Sequence, residues 1–180
     1  MGKQPILPDE FGNYTEKQLQ KLRNRPYNSA VWHLGRQPYT RYQLTQKLKR
    51  KQIPDDIIAE TLDKLEELGW VDDVAYTEQF VHSKRTYEKL GVSAIRQKLL
   101  LKGVSRDIID AQLTEVTVEE QEETAYLLAE RKHRLLVRKE TDPQKLIQKI
   151  AQHLAYRGYS GSISYATAKQ VVQDNLSEQQ

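Results

Sequence analysis

The sequence predicts an all-α protein made of three tandem three-helix repeats, preceded by one further helix. The strongest observation is an internal repeat, because QKLKRKQIPDDII at residues 46–58 returns as QKLLLKGVSRDII at residues 97–109. Self-similarity of this kind is typical of helical repeat proteins, in which each copy packs against its neighbours. In addition, no stretch alternates strictly between apolar and polar residues, which is the pattern of a half-buried strand.

The region before the first repeat, residues 1–26, is predicted to contain one helix that begins at Thr15. Gln18 follows three residues later and completes a capping box, in which each side chain bonds the backbone N–H of the other residue. A separate short helix is predicted to open the first repeat at Asn28 or Ser29 and to end at the next glycine.

Repeat 1, residues 27–71, is predicted to continue with a basic helix and then an acidic helix. Thr40 and Gln43 form a capping box for the basic helix. Pro54 opens the acidic helix, because a proline lacks the N–H that the first helical turn leaves unpaired. The apolar residues of this helix recur at spacings of three and four, which indicates one buried face, and Gly69 ends it.

Repeat 2, residues 72–117, is predicted to have the same order of elements. Asp72 or Asp73 caps a longer first helix, since aspartate is a preferred N-cap residue. Ser93 is predicted to cap the second helix and Ser105 the third.

Repeat 3, residues 118–177, is more diverged but keeps the order. Its first helix, predicted over residues 119–139, has acids at its start and bases at its end, as the helix dipole favours. In the helix that follows, Arg157 occupies the position that Lys51 and Lys102 hold in the other repeats.

Composition excludes several classes of protein. The chain of 180 residues has no cysteine, which excludes disulfides and thiolate metal sites and fits a reducing cytosol. No apolar run approaches the roughly 18 residues that span a bilayer, and the start lacks the apolar core of a signal peptide. We therefore expect a cytoplasmic protein without membrane association.

The charges are arranged in alternating blocks, although the formal net charge is only +3. Residues 27–53 contain six bases and no acid, whereas residues 54–73 contain eight acids and one base. Repeat 2 shows the same polarity. The net charge is therefore nearly neutral although the second helices are basic and the third helices are acidic.

No motif points to catalysis, to a cofactor or to a metal. The sequence has no glycine-rich phosphate loop. GYSGS at residues 158–162 departs from the G-x-S-x-G nucleophile elbow and is interpreted as a helix–helix turn. The four histidines lack the spacing of metal ligands. Asp72 and Asp73 precede a helix, so they are interpreted as caps and not as an acid–base or metal pair.

The basic second helices carry the candidate binding site. Lys47 and Lys51 are four residues apart and therefore share a helix face, as do Lys98 and Lys102 in repeat 2. These four lysines are the first candidates for contact with phosphates or with an acidic protein groove. The second candidates are Arg41, Arg96 and Arg157. The alternative is a solvated face balanced by the acidic helices, but the charge persists between diverged copies, which favours binding.

Two aromatic features have two interpretations each. Trp70 follows a helix-ending glycine, and a role in locking the turn is favoured over a role as a partner-binding anchor. Several tyrosines lie among the bases and are suited to stacking on unpaired nucleobases, although packing is favoured for most of them. They are Tyr39, Tyr42, Tyr87, Tyr156 and Tyr159.

The order of these motifs resembles the RecX family, bacterial regulators of the recombinase RecA. The resemblance rests on LGRQPYTRYQLTQKLKRKQIPDDIIAETLDKLEELGWVDDVAYTEQFV at residues 34–81 and on LGVSAIRQKLLLKGVSRDII at residues 90–109. Gln43 and Gln97 stand where the family usually has glutamate, and Val92 stands where proline is common. Repeat 3 matches in layout more than in motif, and the segment before repeat 1 is outside the match.

The resemblance implies an elongated, curved arrangement of the repeats and a regulatory, non-enzymatic function. A RecX-like protein is expected to lie in the groove of the RecA filament on single-stranded DNA. There it modulates strand exchange, ATP hydrolysis and LexA cleavage during DNA repair and the SOS response, with inhibition as the expected direction. The expected partners are RecA and single- or double-stranded DNA. A cytoplasmic monomer without cofactor, metal or catalytic residue is expected.

Two other function classes are open at this point. A helix-turn-helix protein that binds DNA without RecA fits the short three-helix repeats, but it needs a base-reading recognition helix, and the third helices are acidic. A helical adaptor without any nucleic-acid role predicts that Lys47→Glu combined with Lys98→Glu leaves function intact.

Overall fold

The chain is all-helical over the range that the computed structural model describes, residues 15–177. Nine α-helices and no β-strand occur in this range, so the all-α prediction is confirmed. Consecutive helices form the triplets α1–α3, α4–α6 and α7–α9. Their bounds are α1 Glu16–Leu34, α2 Arg41–Lys49, α3 Asp55–Glu67, α4 Asp73–Thr86, α5 Val92–Leu101, α6 Arg106–Thr114, α7 Val118–Leu136, α8 Pro143–Tyr156 and α9 Gly161–Ser177.

The N-terminal helix is present, but it is continuous with the first helix of repeat 1. The capping box of Thr15 and Gln18 begins α1 as predicted. The helix then continues through Pro26 and past Asn28, where a separate helix was expected to begin. A proline inside a helix costs about 3 kcal/mol, because it removes one backbone hydrogen bond and clashes with the preceding turn. Burial of Pro26 and of Ala30 one turn later helps to offset that cost. Residues 1–14 of the predicted N-terminal segment lie outside the described range.

The first compact unit comprises the described residues up to Tyr76 together with Lys102–Val104. Its core is formed by one face each of α1, α2 and α3. Leu44 and Leu48 of α2 are completely buried, as their spacing predicts, and each contributes about 1.5–3 kcal/mol through burial. The other buried apolar residues of this core are Ala30, Ile53, Ile57, Ile58, Leu62, Leu65 and Val71.

The start of α2 is held by residues from repeat 2. The predicted capping box of Thr40 and Gln43 is confirmed, and the buried Thr40 hydroxyl also donates a 2.6 Å hydrogen bond to the carbonyl oxygen of Lys102. The first N–H of the helix, from Arg41, donates to a carboxylate oxygen of Asp73 at 2.9 Å. Side chains distant in sequence thus satisfy backbone groups that a helix end leaves unpaired.

The second compact unit comprises Thr77–Leu101 and the described residues from Ser105 onward. Ile95 and Leu99 of α5 and Ile109 of α6 are completely buried, as predicted from their spacing. A larger core is formed where α7, α8 and α9 pack together. Its buried residues are Ala125, Ala129, Leu146, Ile147, Ile150, Leu154, Tyr159, Ile163, Ala168, Val171 and Val172.

The start of α5 is held by backbone carbonyl groups and not by a side-chain cap. The Gly91 N–H donates to the carbonyl oxygen of Arg157 at 3.0 Å, and the Ser93 N–H donates to that of Gly158 at 3.1 Å. The prediction that Ser93 caps this helix is wrong, because α5 already begins at Val92. The end of α8 supplies acceptors from a distant part of the sequence, which removes the need for a local cap.

Two glycines make the same contact in successive repeats. Gly103 and Gly158 both follow a second helix and have positive φ angles of 76° and 92°. A Cβ atom at Gly103 would overlap the side chain of Tyr42, and one at Gly158 would overlap Ala94. In both places the end of one second helix lies against the start of the second helix of the preceding repeat. The contact between neighbouring second helices is therefore repeated along the chain, as the helices themselves are.

We expect acidification to destabilise the protein through His133. This imidazole is only 5% exposed, and burial lowers its pKa below the ordinary value of 6.5. The unfolded chain therefore binds the proton more readily than the folded chain does. The free energy of unfolding should fall as pH drops below about 6.5, by at most about 1.4 kcal/mol per pH unit from this group.

Urea unfolding at about pH 7.5 and about pH 5.5 measures this dependence. His133→Leu should make the free energy of unfolding less dependent on pH. The control is His82→Leu, because His82 is exposed on α4. Identical pH dependence in the His133 variant and the parent would contradict the prediction.

Candidate nucleic-acid interface

The lysines of repeat 1 lie on the side of α2 that faces α1. Leu44 and Leu48 occupy the buried side of α2, Lys47 is half-buried, and Lys51 is exposed in the turn that follows the helix. The Lys51 ammonium group donates a hydrogen bond to the hydroxyl of Ser29 on α1. The structure therefore brings Lys47 and Lys51 toward α1, a helix that the sequence analysis left out of the site.

Rings and cations form a continuous row next to these lysines. The Arg36 guanidinium carbon lies 4.0 Å from the centroid of the Trp32 ring. The His33 ring is 4.9 Å from the Trp32 ring and 5.8 Å from the Tyr39 ring, edge-on in both cases. The ammonium nitrogen of Lys47 lies 4.7 Å from the centroid of the Tyr39 ring. Each cation–π contact at an exposed site contributes about 0.5–1 kcal/mol.

The electrostatic centre of this row is His33. Its pKa is lowered first by burial and then by the positive charges of Lys47, Lys51 and Arg36. Burial and the nearby basic side chains therefore both disfavour protonation of this imidazole. Sequence reasoning missed this arrangement, although the one-turn spacing of Trp32 and Arg36 in WHLGR was a signal for a stacked pair.

Arg41, a second candidate, is engaged inside repeat 1. Its guanidinium group pairs with Asp63 at 2.6 Å and with Glu66 at 2.5 Å. Both carboxylates belong to α3, so the pairing ties the start of α2 to the acidic helix. Partly exposed pairs of this kind contribute up to about 1 kcal/mol each to stability.

Lys102 belongs to the same compact unit as Lys47 and Lys51. It is half-buried in the turn after α5, and its ammonium nitrogen lies 5.8 Å from the centroid of the Tyr76 ring. Its carbonyl oxygen accepts the hydrogen bond from Thr40. The residue therefore combines a structural role of its backbone with a cation close to an aromatic ring.

The remaining candidates lie in the second compact unit. Arg96 pairs with Asp110 of α6, and Arg157 donates a 2.5 Å hydrogen bond to the carbonyl oxygen of Glu88. Lys98 is exposed on α5 and forms no salt bridge within residues 15–177. The candidate arginines Arg41, Arg96 and Arg157 are thus held by acceptors of the protein itself, whereas Lys98 is exposed.

The five tyrosines singled out in the sequence have different environments. Tyr39 belongs to the row described above, and Tyr42 packs beside Gly103. Tyr159 is buried, its hydroxyl donates to the carbonyl oxygen of Lys89 at 3.0 Å, and burial raises its pKa to about 12. Tyr87 and Tyr156 are strongly exposed. Only some of these rings are therefore accessible to a ligand.

Trp70 locks a turn through its backbone. Its N–H donates to the carbonyl oxygen of Leu65 at 2.8 Å, while Gly69 adopts a positive φ of 70°, the arrangement of a Schellman C-cap. The indole itself is 50% exposed. The predicted turn is confirmed by its backbone geometry.

The features that the sequence analysis rejected as catalytic have structural roles. Asp72 caps α4 by accepting the N–H groups of Val74 and Ala75 at 2.8 and 2.9 Å. GYSGS forms the predicted turn between α8 and α9, and Ser160 accepts the N–H of Ile163 at 3.2 Å. No group of three or more His, Asp or Glu side chains suited to holding a metal occurs among residues 15–177. In the same range no helix is long and apolar enough to cross a membrane.

Comparison with protein families identifies the fold. Models of the first, second and third RecX three-helix domains match residues 27–65, 72–113 and 119–167, together more than half of the chain. The chain belongs to the RecX family. The predicted resemblance and the order of three tandem three-helix repeats are thereby confirmed.

Individual RecX proteins are similar over most of the chain. The regulatory protein RecX of Thermobifida fusca is 33% identical over 137 residues, which cover 76% of this chain and 73% of the relative. That of Streptomyces coelicolor is 31% identical over 76% of this chain and 72% of its own. Both relatives are named regulatory proteins.

Solved RecX structures share the architecture. The crystal structure of RecX from Lactobacillus salivarius matches with a TM-score of 0.75 and 26% identity, covering 86% of this chain and 97% of that one. A second crystal structure, of a regulatory protein RecX, matches with a TM-score of 0.76 and 29% identity, covering 88% and 81%. The RecX fold therefore extends over all three repeats.

Proposed function

We propose that this RecX-family protein binds the RecA filament on single-stranded DNA and inhibits its recombination, ATPase and LexA-cleaving activities. Membership of the RecX family supports this function, because the resemblance to that family implies RecA as the partner. The protein acts by binding, as a cytoplasmic regulator in DNA repair and the SOS response. It functions as a monomer, without a cofactor and without a catalytic step.

The distribution of internal ion pairs is the observation that carries the proposal. Arg41 and Arg96 are paired with carboxylates of α3 and α6, so they stabilise the repeats themselves. Lys47 and Lys98 occupy equivalent positions in α2 and α5 and form no salt bridge within the described range. A cation that recurs without an internal carboxylate partner is available to phosphates or to an acidic groove.

We assign the contacts of the first compact unit to Lys47, Lys51 and Lys102, and that of the second to Lys98. Arg157 is placed with the structural arginines, because its guanidinium group holds the carbonyl oxygen of Glu88. Repeats with the proposed bounds 27–71, 72–117 and 118–177 present similar groups in succession. This suits a helical polymer, which itself offers similar sites repeatedly.

Duplex-specific binding without RecA is the competing function. It requires a third helix that enters the major groove, yet α3 carries Asp55, Asp56 and Glu60 on its exposed surface. Of its other acids, Asp63 and Glu66 are engaged with Arg41, and Glu67 is exposed. Like charges repel the phosphate backbone, so the acidity of α3 counts against this function.

A reconstituted filament tests the proposal. We expect substoichiometric amounts of the protein to lower ATP hydrolysis and strand exchange by RecA assembled on single-stranded DNA. Unchanged rates at equimolar protein would contradict the proposed function. Tight, sequence-dependent binding to duplex DNA without RecA, measured in parallel, would favour the competing function instead.

A further inference from the structure

The first compact unit contains an exposed aromatic–cation cluster made of Trp32, His33, Arg36, Tyr39, Lys47 and Lys51. The contacts run without interruption from the Arg36 guanidinium over Trp32 to His33, then to Tyr39 and the ammonium group of Lys47. Ser29, one turn before His33 on α1, holds the ammonium group of Lys51. Helix α1, the loop that follows it, and α2 with its turn all contribute to this one surface.

The charge of the cluster is not neutralised by the protein. Arg36, Lys47 and Lys51 form no salt bridge with any carboxylate among residues 15–177, whereas neighbouring Lys49 pairs with Asp55 at 3.0 Å. The three cations lie close enough to His33 to depress its pKa. Positive charges held together without an internal counter-ion favour a site for an anion.

The shape of the cluster favours a flat ligand. The Trp32 indole is 55% exposed although it lies in a row of ring contacts. Arg36 is exposed and its guanidinium lies over that indole, which holds a planar cation in place. Aromatic rings and arginine planes are the groups on which unpaired nucleobases stack in single-strand binding proteins.

We infer that the aromatic–cation cluster binds one nucleotide unit of single-stranded nucleic acid, with its base stacked on the Trp32–Arg36 pair and its phosphate held by Lys47 and Lys51. The inference rests on the proposed function, since it assigns a partner to two of the proposed contact lysines. It also goes further, because it requires binding in the absence of RecA and assigns a role to α1. A duplex is excluded from the stack, because its bases are already paired and stacked.

A direct binding assay without RecA tests the inference. The Trp70→Phe variant leaves Trp32 as the single tryptophan, since the chain has two. Oligothymidylate should quench its fluorescence to saturation. An abasic oligomer of equal length should bind more weakly and quench little, because it supplies phosphates without bases. In anisotropy titrations with labelled oligothymidylate, Trp32→Leu should weaken binding about tenfold.

The matched control is Trp70→Leu, because the Trp70 indole has nearly the same exposure, 50% against 55%, and lies outside the cluster. This variant should bind oligothymidylate like the parent, and Trp32→Phe should restore most of the affinity lost in Trp32→Leu. Equal losses for oligothymidylate and the abasic oligomer would overturn the stacking role. Equal quenching by polyglutamate would assign the cluster to an acidic protein instead.

The nucleotide site and the proposed function can fail independently of each other. If no oligomer binds without RecA while the filament assay still shows inhibition, the nucleotide site is refuted and the regulatory function stands. If oligothymidylate binds through Trp32 but RecA activity is unaffected, the site stands and the proposed function fails.

Discussion

Reversal of one lysine in each compact unit, Lys47→Glu together with Lys98→Glu, is expected to weaken inhibition of the RecA filament about a hundredfold. Neither side chain forms a salt bridge within residues 15–177, so their replacement leaves the ion pairs of the fold intact. Each loses a charge-assisted contact of on the order of 1.5 kcal/mol with the partner. Two such losses amount to about 3 kcal/mol, or about a hundredfold in affinity.

The measurement is the protein concentration that halves RecA-dependent ATP hydrolysis. The charge-matched control is Lys139→Glu with Lys169→Glu, because both residues are exposed and lie outside α2 and α5. This variant has the same net charge and should inhibit like the parent. If both double variants lose activity equally, only the overall charge matters. If neither loses activity, the adaptor interpretation is favoured and the lysines are a solvated face.

The helix starts were predictable because most of them are set within a few residues. The capping boxes at Thr15 and Thr40 and the cap at Ser105 each depend on a partner three residues later, and all three are confirmed. The predictions failed where distant groups replaced the local signal. The carbonyl groups of Arg157 and Gly158 serve the start of α5, so Ser93 was not needed as a cap.

The candidate site was harder to predict, because charge alone does not show which cations the fold uses. Lys47 and Arg41 lie in the same helix and look equivalent in the sequence. Only the structure shows that Asp63, 22 residues from Arg41, pairs with that arginine. The role of α1 was missed for a related reason. A separate helix was predicted to begin at Asn28 or Ser29, which divided α1, so Trp32 was not connected with the basic helix.

The close backbone contact at Gly91 supports the second large prediction, which concerns stability. A Cβ atom at this position would overlap the backbone of Gly158 and Tyr159, and these main-chain atoms cannot rotate away as a flexible side chain can. Gly91→Ala must therefore push the two segments apart. That movement also breaks the hydrogen bonds from Gly91 to Arg157 and from Ser93 to Gly158.

We expect Gly91→Ala to lower the free energy of unfolding by about 3 kcal/mol, since overpacking typically costs about 1–3 kcal/mol and each lost hydrogen bond about 1 kcal/mol. Urea unfolding measures the change as a lower midpoint at constant slope. Gly161→Ala is the matched control, because a Cβ atom there meets nothing within 4 Å. A midpoint for Gly91→Ala equal to that of Gly161→Ala would show that the contact contributes little. Because α5 begins at this contact and carries Lys98, a destabilised Gly91 variant should also inhibit RecA less than the Gly161 variant.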